Sequence, residues 1–160
     1  MAESDQQQPP PLEYPPGPWV LVAALRERQL IDSDHMLSMI RMLDRLTLTT
    51  NSPELIQNPP PITTTATVVV VLSGTSEHDG GLFTLQFNSP TGTIERGETI
   101  PLRFSDSGHP TRVTVNLTMV LRESGTYWID VVFGDRALTR IPIRVQYRLA
   151  QEADHAGPAS

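Results

Sequence analysis

The sequence predicts an all-β protein: a single antiparallel β-sandwich with at most one short helix. Three observations predict it. Apolar and polar residues alternate with period 2 over many short runs. Gly, Pro, Asn and Asp punctuate those runs at regular spacing. No long segment keeps a helical period, so helices covering a parallel sheet are not expected.

The elements follow in chain order. Residues 1–17 are rich in Gln and Pro, and PPPLEYPPGP favours polyproline II over a packed core, so they read as a disordered tail. WVLVAALRER, from Trp19, is the first buried strand. In LIDSDHMLSMIRML two readings compete over residues 36–43. Met36, Met39, Ile40 and Leu43 fit a helical face, whereas a turn at Asp32-Ser33-Asp34 followed by a strand lets the alternation continue through Leu46 and Leu48 of DRLTLTT. The turn and strand are preferred. Prolines enforce a loop over 51–61, and ITTTATVVVVL, from Ile62, is a long strand of high β-propensity. LFTLQF alternates strictly. NSPTGTIERGET supplies a turn with a short edge strand, and IPLRF and RVTVNLTMVL are two more strands. The stretch after Leu149 is small and polar, so residues 150–160 read as a second disordered tail. The domain is therefore 18–149, which suits one core and is too short for two.

The last hairpin carries the most information. Tyr127, Ile129, Val131 and Phe133 alternate with Trp128, Asp130 and Val132, Gly134-Asp135 breaks the run, and Leu138, Ile141, Ile143 and Val145 resume it. Pro142 cannot donate to a ladder, so that second strand is expected at an edge or with a bulge. Gly125-Thr126-Tyr127 matches the corner of immunoglobulin-like sandwiches, in which a tyrosine hydroxyl bonds back to nearby backbone. The sandwich is accordingly expected to be immunoglobulin-like or jelly-roll-like.

The order of LIDSDHMLSMIRMLDRLTL, a Pro-marked loop, ATVVVVL, LFTLQFNSPTG and NLTMVLRESGTYWIDVVFGDRALTRIPIRV is similar to a family of uncharacterised bacterial β-sandwich proteins. In that family a segment resembling GKLSLIGVFDRI precedes strands that close on a pGrYrfevyvdGeeva.iPl.V ending. The resemblance covers roughly residues 19–147. It implies a bacterial, cytoplasmic domain with no established chemistry, because its motifs are fold motifs.

Composition narrows the function. A net charge of -6 offers no general footprint for nucleic-acid phosphates or an anionic membrane. With no cysteine there are no disulfides, thiolate nucleophiles or zinc-thiolate sites. The start lacks a basic segment followed by an apolar one, and ATVVVVL is too short to span a bilayer, so a cytoplasmic protein is expected. The GxSxG elbow, SxxK and phosphate-cradling glycine motifs are absent. Glu95 and Glu98 read as a charged turn, and the NLT at Asn116 lies inside a strand. The chain is expected not to be an enzyme and to use no cofactor.

Two functions remain. The first is a protein-interaction or assembly module. Its candidate contact residues are Trp128, Arg136, Arg140, Arg144 and Tyr147, with Arg148 beside them, because Arg, Trp and Tyr are enriched at interface hot spots. The partner is an unidentified protein or a second copy in a weak homodimer, where Arg140 and Arg144 either block edge pairing by repulsion or make ion pairs to acidic groups such as Glu123 and Asp130 of that copy. The alternative is a small-ligand or metal-binding module using the 73–81 and 105–111 loops. His78 and Asp79 are its metal-ligand candidates, and His35 and His109 lie in similar Asp-containing turns.

Overall fold

The computed structural model describes residues 17–31, 37–74, 80–105 and 109–150. Among these lie strands β1 (Trp19–Ile31), β2 (Leu37–Met42) and β3 (Arg45–Thr50), a single-turn helix α1 (Glu54–Gln57), and strands β4 (Ile62–Ser73), β5 (Gly81–Asn88), β6 (Ile94–Leu102), β7 (Thr111–Leu121), β8 (Gly125–Phe133) and β9 (Arg136–Leu149). The fold is all-β. The strands form a four-stranded sheet in the order β2-β1-β4-β7 and a five-stranded sheet in the order β3-β9-β8-β5-β6. No helix among the described residues is long and apolar enough to cross a membrane.

Inward residues of both sheets share one core. The four-stranded sheet contributes Leu25, Val68, Val70 and Met119, and the five-stranded sheet contributes Phe83, Leu85, Ile129 and Ile143. Burying a side chain of this size contributes about 1.5–3 kcal/mol. Phe87 stacks on Tyr127 with ring centroids 5.2 Å apart. The Tyr127 hydroxyl donates to the Glu123 carbonyl at 3.2 Å and accepts from the Arg122 and Glu123 amides at 3.0 and 3.2 Å. The corner expected from Gly125-Thr126-Tyr127 is therefore present. Gly125 enters it with φ +144°, and a Cβ there would lie 2.7 Å from Pro90, so no larger residue fits.

The preferred reading of residues 36–43 holds over Leu37–Met42, which pairs antiparallel with β1; Met36 lies outside the described residues. Three other expectations need correction. The strands are not all antiparallel, because β3 runs parallel to β9 from Arg45↔Arg144 to Thr50↔Leu149. The chain changes sheets over two residues to do this. The Leu43 amide still donates to Leu25 of β1 at 2.8 Å, while the Asp44 carbonyl accepts from the Arg144 amide of β9 at 2.9 Å. Second, Ile94–Leu102 is one continuous edge strand rather than a short edge strand followed by a separate strand at IPLRF. Third, β9 is an edge only along its first half. Arg144 directs its amide to the β3 side, and strand alternation puts Pro142 on that same side, two residues short of where β3 begins. The proline is tolerated because no partner strand lies opposite it.

The tails expected at 1–17 and 150–160 lie outside the described residues, except for Gly17 and Ala150. Gly17 is buried, and its carbonyl accepts from Arg136 Nη2 at 2.9 Å.

The middle of the four-stranded sheet is buried on its outward side too. Ala24 pairs with Val69 and Arg26 with Thr67, in the opposite alternation to core residues Leu25 and Val68. Ala24, Val69 and Arg26 are nevertheless only 2%, 0% and 0% exposed. Burial, with Arg112 nearby, pushes the Arg26 guanidinium below its ordinary value.

Candidate functional site

The outward side of the five-stranded sheet is built as three neighbouring cross-strand rows. The first is Gln86–Asp130–Arg140, the second Asn88–Trp128–Pro142, and the third Thr126–Arg144–Arg45. Neighbouring strands lie about 4.8 Å apart and same-face residues about 6.8 Å apart along a strand, so the rows form a compact surface. Alternation makes it. In β9 the buried Ile141, Ile143 and Val145 interleave with exposed Arg140, Pro142 and Arg144, and in β3 inward Leu46 and Leu48 leave Arg45 outside.

One carboxylate organises the middle of this face. Asp130 accepts from Arg140 Nε at 2.9 Å through one oxygen, and from Arg140 Nη2 at 3.1 Å and Asn88 Nδ2 at 2.9 Å through the other. The Asp130 side chain is only 14% exposed, whereas Arg140 keeps 56% of its surface in solvent. The same guanidinium lies 5.1 Å from the Trp128 ring centroid, a cation–π distance. Arg140 is thus held by a bidentate ion pair below and an aromatic ring beside it, with its outer side free for a ligand. Trp128 is half-buried and its cross-strand partner Pro142 exposed, which leaves an apolar centre between two arginines.

The predicted contact residues divide into three groups. Trp128, Arg140 and Arg144 meet on this face, and Arg148 continues it, its Nη2 3.4 Å from Gln146 Oε1. Arg136 sits at the far end of β9, where it donates to the Gly17 and Pro18 carbonyls at 2.9 and 3.4 Å. It secures the approach to β1. Tyr147 points inward against the core, and its hydroxyl is buried with no hydrogen-bond partner among the described residues. Burial, with Tyr127 nearby, pushes that phenol above its ordinary value. Asp130 holds its ion pair within its own chain, and Glu123 accepts from Thr91 Oγ1 at 2.8 Å.

Arg45 and Asn88 were not singled out in the sequence. The alternation of DRLTLTT puts Arg45 outside, but only the parallel pairing of β3 with β9 brings it beside Arg144.

His78, Asp79 and most of the 73–81 loop lie outside the described residues, as do His35 and residues 106–108 of the other loop. His109 is exposed. No group of three or more His, Cys, Asp or Glu placed to hold a metal occurs among the described residues. A groove of about 380 Å³ runs between the starts of β1 and β9, lined by Pro18, Trp19, Val20 and Arg136 to Thr139. A smaller one, of about 60 Å³, lies by the tyrosine corner and includes Glu95, Arg122 and Glu123.

No family model and no curated protein matches the chain. Among solved structures it is similar to a beta-glucosidase from Listeria innocua, at 12% identity and a TM-score of 0.46 over 78% of this chain. The same enzyme in complex with isofagomine gives 12% identity and 0.45. The chain spans 16% of the length of those proteins. The expectation that the chain is not an enzyme is corrected to this extent: the solved structures it is similar to are those of a beta-glucosidase, and the likeness is one of fold. Absent local motifs say nothing of a site assembled from residues remote in sequence.

Proposed function

We propose that the chain is a protein-interaction module and that its contact face is the outward side of the five-stranded sheet, centred on Trp128, Pro142 and Arg140. The observation that carries the proposal is the ordered Arg140: an exposed guanidinium fixed by Asp130 and Trp128 loses little rotamer freedom on binding. An aromatic and a proline flanked by arginines has the composition of an interface hot spot. A cytoplasmic setting belongs to the same proposal and rests on sequence composition alone. An immunoglobulin-like relationship also belongs to it, supported by the Tyr127 corner.

The test compares wild type with Trp128→Ala and Arg140→Ala by affinity capture from cells of the source organism, followed by mass spectrometry. A protein captured by the wild type and lost with both variants, whose melting curves show them folded, supports the reading. Identical capture by all three overturns it.

A further inference from the structure

On that reading of the face, we infer that its partner is an acidic segment of another protein, bound in extended form along β9 with its carboxylates on Arg144 and Arg45. Those two arginines are direct neighbours in the parallel pairing of β9 with β3. Both are exposed, and neither has a carboxylate within ion-pair distance among the described residues. Like charges placed directly across two strands destabilise a sheet. Elsewhere on the same face the chain neutralises an arginine, since Arg140 has Asp130. The Arg45–Arg144 pair is therefore an unneutralised cationic spot, extended by exposed Arg148 two outward positions further along β9.

The surrounding charge decides what kind of anion fits. The whole chain carries -6, so this spot is a cationic island on an acidic molecule. A long polyanion such as nucleic acid gains at the island and is repelled beyond it, whereas a short acidic peptide meets only the island. Outward residues of β9 recur about every 6.8 Å, which equals the spacing of alternate side chains in an extended peptide. A segment with carboxylates at alternate positions therefore sets every second carboxylate against Arg144 and Arg148, which stand two outward positions, about 13.6 Å, apart. Two carboxylates can each take a guanidinium through paired hydrogen bonds. The Trp128–Pro142 pair, next to Arg144, offers a seat for an apolar residue of the same segment.

The inference separates binding from stability, because an unneutralised like-charge pair costs the free protein something that only a ligand recovers. Replacing Arg144 by glutamine is expected to raise the melting temperature of the full chain slightly at low salt, and the gain should vanish as salt screens the pair.

The test uses the full-length chain and fluorescence anisotropy with a labelled, capped peptide of about twelve residues in Glu-Thr repeats, chosen for the side-chain spacing. A Lys-Thr repeat and a single-stranded thymidine oligonucleotide of equal charge serve as comparisons. Saturable binding of the Glu-Thr peptide is expected. It should weaken at least about tenfold as ionic strength rises from about 50 to about 300 mM. The double variant Arg45→Glu/Arg144→Glu should lose at least about tenfold in affinity while remaining folded, and Arg45→Gln/Arg144→Gln should lose a comparable amount without reversing charge. The inference is overturned if the peptide fails to bind, if the oligonucleotide binds as tightly, or if either double variant binds like wild type. Should a captured protein be lost with Trp128→Ala yet bind Arg45→Glu/Arg144→Glu normally, the contact face stands and the acidic partner falls.

Discussion

The outward sides of the two sheets are built by opposite rules. On the four-stranded sheet, Ala24, Val69 and Arg26 point away from the core and are still buried. On the five-stranded sheet, Arg45, Arg140, Pro142 and Arg144 point away from the core and are exposed. The middle of the first side is closed off from water, so Ala24, Arg26 and Val69 answer to packing and desolvation. The second is an organised surface, on which a carboxylate and an aromatic ring hold one arginine while a neighbouring pair stays unneutralised. A β-strand therefore does not reveal by alternation alone which of its sides faces water. What lies over each side decides that.

The sharpest way to break the comparison is to put the same charge on both sides. Val69→Asp is expected to cost about 2–4 kcal/mol, because it takes a carboxylate wholly out of water at a position packed for valine, a cost that Arg26 on the same side offsets only in part. Arg144→Asp should change stability by less than about 0.5 kcal/mol, since that position is exposed. Urea unfolding of both variants checks this, and equal losses would show that the two sides do not differ.

Two inward tyrosines of the five-stranded sheet give the next contrast. Tyr127→Phe is expected to cost about 1–2 kcal/mol, because two amides and a carbonyl lose the hydroxyl that satisfies them. Tyr147→Phe removes a buried hydroxyl that lacks a partner, so a neutral result or a gain of up to about 1 kcal/mol is expected. The pH dependence follows from the raised Tyr147 phenol. The unfolded chain releases that proton near pH 10 and the native one only above it, so this contribution is complete below about pH 10 and is lost as pH climbs toward the native value. Chemical denaturation at pH 8 and pH 11 should show a smaller alkaline loss in Tyr147→Phe than in wild type.

The smallest effect belongs to the exposed network. Arg140→Ala should lower stability by about 0.5–1 kcal/mol, a little more than an ordinary surface pair because Asp130 is largely covered and loses a bidentate partner. High salt should narrow the difference between this variant and wild type.

Much of the framework was legible because its signals are local. The alternation of GTYWIDVVF followed by Gly134-Asp135 specifies a hairpin, and Gly125 two residues before Tyr127 marks a corner whose bonds close within five residues. Other features were not legible, because they depend on which strands meet. The long-range pairing of β3 with β9 turns an expected edge into an internal strand over Arg144 to Leu149 and brings Arg45 to the contact face. Arg136 looked like Arg140 in sequence and serves a different end of the molecule.

Sequence by itself determined the all-β class, the positions of most strands, the tyrosine corner and the side of β9 on which its arginines stand. Each follows from backbone periodicity, turn chemistry or a hydrogen bond between near neighbours. Only the tertiary structure decided that the chain switches sheets at Leu43–Asp44, that Pro142 lies just beyond the reach of β3, and that Ala24, Arg26 and Val69 are covered. The run Val68 to Val71, apolar without alternation, carried a trace of that coverage, since a strand buried on both sides has no polar face to show. The physical reason for the division is range: alternation fixes how a strand divides its side chains, and the packing of distant segments fixes what each side meets.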